Sequence, residues 1–253
     1  MNRKKPAEPS KSVIYGIHPV LETLKAGKRR VEEIYSARED SLDEAARALI
    51  KERNIPVKPL PQAQLLAVAG SPHHQGLAAR VGPFPYADLE DILSPLPPEI
   101  GPILLLDEVQ DPANLGNILR AAECLGADAL VLTKDRSVAI TAVVEKAAAG
   151  ASAHIAVARV VNLVRAIEML KSSGYWVYGT APEAKASLYE LKFEGRLAFV
   201  LGSEGKGMRR LVREKCDQLL VVPMSGKTAS LNVSQVATIL LAESLRQRLS
   251  EPR

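Results

Sequence analysis

The residues of this chain best suited to chemistry fall in three loops, each following an apolar run. The first runs from Leu106 to Arg120 through Asp111-Pro112-Ala113-Asn114-Leu115-Gly116-Asn117. Asp111-Pro112 is a turn signal, and Asn114 is read as the cap of the helix behind it. Arg120 lies six positions after Asn114 and is expected near the start of that helix. Its guanidinium stays charged and offers a rigid fork of donors for a phosphate or ribose. The second loop, Leu201-Gly202-Ser203-Glu204-Gly205-Lys206-Gly207-Met208, holds three glycines within six residues, which lets backbone approach a ligand closely. Its order is G-x-x-G-x-G, which argues against a dinucleotide fold. Glu204 among the glycines suits a ligand with positive charge or hydroxyl donors better than a phosphate. The third loop runs from Val222-Pro223-Met224 to Ser230-Leu231-Asn232-Val233-Ser234. Its Gly226-Lys227-Thr228 resembles the end of a triphosphate-binding loop, but position 221 is Val where that motif needs Gly. Ser230, Asn232 and Ser234 instead place neutral hydrogen-bonding groups at a helix N-terminus, where backbone N–H groups are free.

Residues 103–253, which carry the three loops, alternate strand and helix. Strands are expected at Ile103–Leu106, Ala129–Leu132, Ile155–Ala158, Trp176–Gly179, Leu197–Leu201 and Leu219–Val222. Helices are expected at Leu115–Leu125, Ala142–Ala149, Leu163–Lys171, Arg209–Lys215 and Val233–Leu249. Short apolar strands between helices indicate an α/β fold with a mostly parallel sheet covered on both faces. Ligands of such sheets bind beyond the carboxyl ends of the strands, where all three loops lie. Residues 13–81 read as a smaller α/β unit with helices at His18–Ala26, Asp43–Arg53 and Gln64–Ala69. Its strands are expected at 31–35, 57–60 and 77–81. Between them, residues 82–102 carry six prolines in 21 positions and read as an extended, semi-stiff connector, with a helical turn over Asp88–Leu93. Residues 1–12 are charged, Pro-containing and nearly devoid of apolar side chains, so disorder is expected there.

The composition, 47% apolar and 25% charged over 253 residues, is that of a soluble globular protein. No apolar run reaches the roughly 20 residues needed to span a membrane. The net charge of +4 is uneven: +3 over residues 1–12, +2 over 13–80 and −1 over the remainder. A basic front on a neutral body suits a module that holds a polyanion while the rest does chemistry. Cys124 and Cys216 lack metal-ligand spacing and read as free cytosolic thiols. His73 and His74 suggest no third ligand nearby and are assigned a structural or polyanion-contact role, so no metal is expected. Trp176 and Tyr178 are expected in the core.

In these motifs, from about residue 13 onward, the chain resembles the SpoU (TrmH-type) 2′-O-ribose RNA methyltransferases of the SPOUT superfamily. Asp111 to Arg120, Leu201 to Met208, and Val222-Pro223-Met224 with Ser230 to Ser234 carry the resemblance. Tyr15-Gly16-Ile17-His18-Pro19-Val20 and His74-Gln75-Gly76 resemble the substrate-binding domain of the branch that methylates a guanosine of 23S ribosomal RNA. Asn117, where many relatives have a small residue, and the basic tail depart from the pattern.

The resemblance implies a C-terminal trefoil knot, a ribosomal-protein-like N-terminal RNA-binding domain, a cytoplasmic homodimer with each site near the subunit interface, and no metal. It implies S-adenosylmethionine held near Thr180, Gly202, Gly207, Val222, Pro223, Met224 and Leu231. Arg120 is the implied catalytic residue, and a positioned guanidinium would stabilise a developing alkoxide or anchor the adjacent phosphate. Asn114 and Asn232 would fix the ribose and Arg120, Glu204 would orient the arginine or a nearby helix terminus, and Ser230 would supply a hydroxyl. Transfer RNA as substrate, or a catalytically silent RNA-binding relative, are the alternatives.

Overall fold

The computed structural model describes residues 12–38, 41–94, 101–228 and 230–250. The expected disorder of residues 1–12 therefore lies, but for Ser12, outside the described residues. The chain forms two compact units, and the first is discontinuous in sequence: it comprises the chain up to Pro85 together with Ala142–His154. The second comprises Tyr86–Thr141 and Ile155–Arg253.

The first unit is a four-stranded sheet in the order β1-β4-β2-β3, formed by β1 (Ser12–Tyr15), β2 (Val31–Ser36), β3 (Val57–Pro59) and β4 (Leu77–Val81). β4 pairs antiparallel with β1 and β2, and β2 pairs parallel with β3. Alternation along the strands divides two apolar faces. Ile14, Ile34, Leu77 and Ala79 pack with Val20 and Leu24 of helix α1 (Ile17–Ala26) and Ala46 and Ile50 of α2 (Glu44–Glu52). Tyr15, Tyr35 and Ala78 pack on the other side with Leu65 of α3 (Gln62–Ala69). Gly27 ends α1 in the left-handed conformation, at φ 64°, that its lack of a Cβ permits. Asp43 caps α2 by accepting the Ala46 N–H at 2.7 Å.

The short α-helix expected at 142–149 forms over Ala142–Ala147 (α6), and it packs within this first unit against β1. Its Glu145 and Arg29 form a buried ion pair, Nη1 to the two carboxylate oxygens at 2.9 and 3.1 Å, with side chains 4% and 6% exposed. Arg29 also donates to the Gly82 carbonyl at 2.7 Å and lies over the Phe84 ring. Burial raises the Glu145 carboxyl above its ordinary range, and the Arg29 guanidinium opposes that rise. Truncating Arg29 strands a buried charge. Arg29→Ala is expected to destabilise the first unit by about 3 kcal/mol at neutral pH. A raised folded pKa means the folded state holds the proton more tightly, so stability falls as pH rises through the carboxylate range. The Arg29→Ala penalty should accordingly shrink on acidification, as Glu145 protonates. Hydrogen exchange of β1 and α6 amides, compared at neutral and mildly acidic pH, reads this; wild-type protection in the variant would contradict it.

The second unit is a seven-stranded sheet in the order β7-β6-β5-β10-β8-β11-β9, with parallel pairing throughout. Its strands are β5 (Ile103–Asp107), β6 (Ala129–Thr133), β7 (Ala156–Val160), β8 (Tyr175–Thr180), β9 (Ala186–Ser187), β10 (Arg196–Gly202) and β11 (Gln218–Val221). Five consecutive buried residues in β5 and again in β6 show why these strands read as unbroken apolar runs: both faces are covered. The helices are α4 (Leu89–Leu93), α5 (Pro112–Cys124), α7 (Leu163–Ser172), α8 (Arg210–Lys215) and α9 (Val233–Ser250), with α5 packed along α9. The Pro-rich stretch is less of a free connector than its composition suggests. The Tyr86 hydroxyl accepts the Ile140 N–H at 2.8 Å, Ala87 forms a parallel bridge to Ala158, and Leu89 joins the core. Residues 95–100 of that stretch are outside the described residues.

Candidate active site at the carboxyl edge of the parallel sheet

Because β5, β10, β8 and β11 are neighbours and parallel, their carboxyl ends open side by side, and the three loops converge there. The helix after β5 starts earlier than expected. Asp111, not Asn114, is its cap: Oδ1 accepts the N–H groups of Ala113 at 2.7 Å and Asn114 at 2.9 Å, and Pro112 takes the first helical position. Asn114 is thereby released from capping. It is buried, and its Nδ2 donates to Glu204 Oε1 at 2.9 Å. Asn232 Nδ2 donates to the same oxygen at 2.6 Å and to Asn114 Oδ1 at 3.0 Å. Asn232 is fixed in turn: its Oδ1 accepts the Ser234 N–H at 2.8 Å and hydroxyl at 2.6 Å, while its own N–H donates to Gln235 Oε1 at 3.1 Å. One carboxylate thus ties all three loops. The resemblance implied that Glu204 orients the arginine or a nearby helix terminus; in the structure it holds Asn114 and Asn232, at the N-terminal ends of α5 and α9.

The glycine loop is set by its backbone. Gly207 N–H donates to the Ser203 carbonyl at 2.9 Å, and Gly205 and Gly207 adopt φ of 79° and 67°. A Cβ on Gly202 would lie 2.1 Å from the Gly207 carbonyl carbon and 2.2 Å from the Met208 nitrogen. The loop's far end is clamped by Asp107, fully buried at the end of β5. Its carboxylate accepts the Arg209 N–H at 2.8 Å, Nε at 2.8 Å and Nη2 at 2.7 Å. Sequence reading passed over this pair; its one signal was an acid ending an otherwise apolar strand.

Two cavities flank the tie. The larger, about 470 Å³, is lined by Thr180, Gly202, Gly207, Val222, Met224 and Leu231, and by the cluster residues Glu204, Ser230 and Asn232. Of the residues expected around a cofactor, Pro223 alone does not line it; Ala181, Pro182 and Val236, not anticipated from sequence, do. Thr180 keeps its hydroxyl on the Val200 carbonyl at 3.2 Å, so it contributes surface more than a free donor. The smaller cavity, about 220 Å³, shares Ser203, Glu204 and Val233 with the larger. Among the described residues, no Lys, Arg or His lines the larger cavity, and its one charged side chain is Glu204.

With that geometry in place, the SpoU rRNA Methylase family pattern matches residues 101–242, more than half of the chain. The chain belongs to the SpoU rRNA methylase family. An "RNA 2'-O ribose methyltransferase substrate binding" pattern matches residues 13–87. The "23S rRNA (guanosine-2'-O-)-methyltransferase RlmB" of Escherichia coli K12 is 39% identical over 241 residues, covering 93% of this chain and 98% of the relative. The Vibrio cholerae protein of the same name is 40% identical over 247 residues, covering 95% and 99%. Among solved structures, the SpoU methyltransferase AviRb from Streptomyces viridochromogenes, determined in complex with AdoMet, superposes with a TM-score of 0.80. It is 24% identical, over 96% of this chain and 92% of that one, and the likeness is one of fold.

In this SpoU chain Arg120 stands well inside α5, four residues before its end, and not near its start. Its side chain is exposed, lines neither cavity and makes no hydrogen bond or ion pair among the described residues. Trp176 is 49% exposed whereas Tyr178 is buried against Phe193 and Phe199, so only the second belongs to the core. His74 is buried and its Nδ1 accepts the Gly76 N–H at 3.1 Å, a structural role. No group of three or more His, Cys, Asp or Glu suited to a metal ion occurs among the described residues. Cys124 and Cys216 are free, and burial pushes the Cys216 thiol up to about 12. No described helix is long and apolar enough to cross a membrane.

Proposed function

We propose that this chain methylates the ribose 2′-oxygen of a guanosine in 23S ribosomal RNA, with S-adenosylmethionine as methyl donor. The observation that carries the reading is the charge of the larger cavity: among the described residues its lining has one carboxylate, no cation, and apolar walls from Leu220, Val222, Leu231 and Val236. Apolar walls suit an aromatic ring, and a lone carboxylate suits a cationic ligand while repelling a polyphosphate. The volume lies within the range of small-molecule sites. The names of the E. coli and V. cholerae relatives supply the RNA and the base.

S-adenosylmethionine supplies a methyl group already activated on a sulfonium sulfur. The chain's own task is therefore orientation of the pair: the 2′-oxygen takes the methyl, S-adenosylhomocysteine leaves, and the hydroxyl proton goes to water or the adjacent phosphate. Glu204 Oε1 is occupied by the two asparagine amides, which leaves Oε2 to accept a hydrogen bond from a ribose hydroxyl. Orientation of a near-attack pair accounts for about 7–11 kcal/mol in favourable cases. Ser230 and Asn232, at the entrance to α9, would position the ribose. Glu204→Gln keeps an acceptor but removes the charge, and should slow methyl transfer about tenfold. An unchanged rate would remove Glu204 from the site.

The same reading includes a homodimer, because Arg120 lines neither cavity of its own chain; a second copy would deliver it. It also includes a C-terminal trefoil knot, supported by β10 lying between β5 and β8 and by α9 returning to pack on α5. Action in the cytoplasm belongs to this reading too.

The test is incubation of the pure protein with labelled S-adenosylmethionine and either 23S ribosomal RNA or transfer RNA. Sites are then mapped by resistance to alkaline cleavage, which needs a free 2′-hydroxyl. One protected guanosine in 23S RNA is expected. Protection in transfer RNA alone would keep the chemistry and overturn the substrate, and label in neither would overturn both.

A further inference from the structure

The smaller cavity has a chemistry of its own. Its floor is apolar, from Val109 and Val233, which are 3% and 7% exposed. Its rim is polar: Glu108, Gln110, Asp111, Asn114 and Lys206, besides the Ser203 and Glu204 wall it shares with the larger cavity. Most of these groups are already engaged. Glu108 Oε1 faces two guanidiniums, Arg136 at 3.2 Å and Arg209 at 3.5 Å. Glu204 and Asn114 are tied to each other and to Asn232. What remains is specific. Asp111 uses only Oδ1 for the α5 cap, and Oδ2 has no partner among the described residues. The exposed Gln110 amide and the Lys206 ammonium make no hydrogen bond or ion pair there either.

Resting on the function proposed above, we propose that this second cavity receives the base of the target nucleotide and selects guanine, with Asp111 and Lys206 as the reading residues. An apolar floor with a polar rim suits a planar base read along its edge, the usual mode for an unstacked RNA base. Among the lining groups, Asp111 Oδ2 is a carboxylate acceptor and Lys206 an ammonium donor, both without a partner among the described residues. Guanine alone presents two adjacent donors, N1–H and N2–H, beside an acceptor, O6. Adenine presents an acceptor at N1 and a donor at N6, so it meets both groups with the wrong polarity. Uracil has a single donor between two acceptors, and cytosine has its donor next to an acceptor. The shared wall at Glu204 then places the ribose of the held nucleotide beside the larger cavity.

The test uses the full-length protein and a 23S RNA fragment containing the mapped site, with guanosine, inosine or adenosine at that position. Inosine lacks only the 2-amino group. For the wild type, kcat/KM should fall about tenfold or more on inosine and further on adenosine. Asp111→Asn retains a cap-type side chain at α5, so the fold is kept, but the free carboxylate is lost. In that variant the guanosine-to-inosine ratio should collapse toward one, with S-adenosylmethionine affinity unchanged. Lys206→Ala should lower kcat/KM on guanosine about tenfold with the same unchanged affinity. Equal wild-type rates on guanosine and inosine, or an intact ratio in Asp111→Asn, would overturn the base assignment and leave the proposed function standing. A wild type that methylates no ribose of 23S RNA would overturn the function itself, and the base assignment with it.

Discussion

Replacing Gly202 with valine is expected to weaken S-adenosylmethionine binding by at least ~100-fold while RNA binding by the first unit is kept. The Cβ alone would overlap two backbone atoms, at 2.1 and 2.2 Å, and backbone cannot rotate aside as a side chain can. The strain must open the loop from Ser203 to Met208. That loop carries Glu204, which ties three loops together, and it lines both cavities. Its far end cannot follow, because Arg209 is held on buried Asp107. Calorimetric titration of the cofactor and a gel-shift with 23S RNA separate the two effects. Normal cofactor affinity in the valine variant would contradict the placement of the cofactor in the larger cavity.

The opposite pattern is expected of Arg120→Ala. An exposed side chain without a hydrogen bond or ion pair should cost little stability when truncated, within about 0.5 kcal/mol. It lines neither cavity, so cofactor affinity should hardly move. Methylation, however, should fall by 10²–10³-fold, roughly the loss that follows removal of one donor that stabilises a developing anion. Near-normal turnover would remove Arg120 from the mechanism. Mixing Arg120→Ala with Glu204→Ala, each slowed when alone, tests where the arginine acts. If a second copy supplies it, mixed dimers contain one site with both groups intact, and activity returns. If both act within one chain, the mixture recovers no more than simple dimers of each variant give.

What the sequence disclosed followed from local periodicity. The strands of the second unit were legible because fully buried parallel strands are uninterrupted apolar runs, and most of their ends fell within one or two residues. β1 and β9 were missed for a different reason. Ser12–Tyr15 has four residues and its partner β4 lies far along the chain; Ala186–Ser187 has only two. In the site, Asn114, Glu204 and Asn232 were all singled out beforehand, but not the hydrogen bonds that join them. Asp111 and Asn114 are both cap-type residues, and nothing nearby distinguishes them. The choice is made by Glu204, 90 positions away, which claims the asparagine. Asp107 was unreadable on the same grounds, its partner Arg209 being 102 positions distant. Trp176 shows the limit of alternation: one residue of a strand otherwise buried from Tyr175 to Gly179 is left exposed.

The chain's substrate-binding pattern stops at residue 87, but the unit it builds does not, because Ala142–His154 folds into it. Heredity meets this as a constraint on recombination. A crossover within residues 82–102 would hand a descendant one parent's Arg29 and the other parent's residue 145, and the two must match in charge and size. Exchange of the first unit between relatives therefore needs two coordinated replacements, not one. Lineages of this architecture should change RNA targets by gradual substitution more readily than by shuffling, and a working chimera should have to carry residues 142–154 along with its new front end.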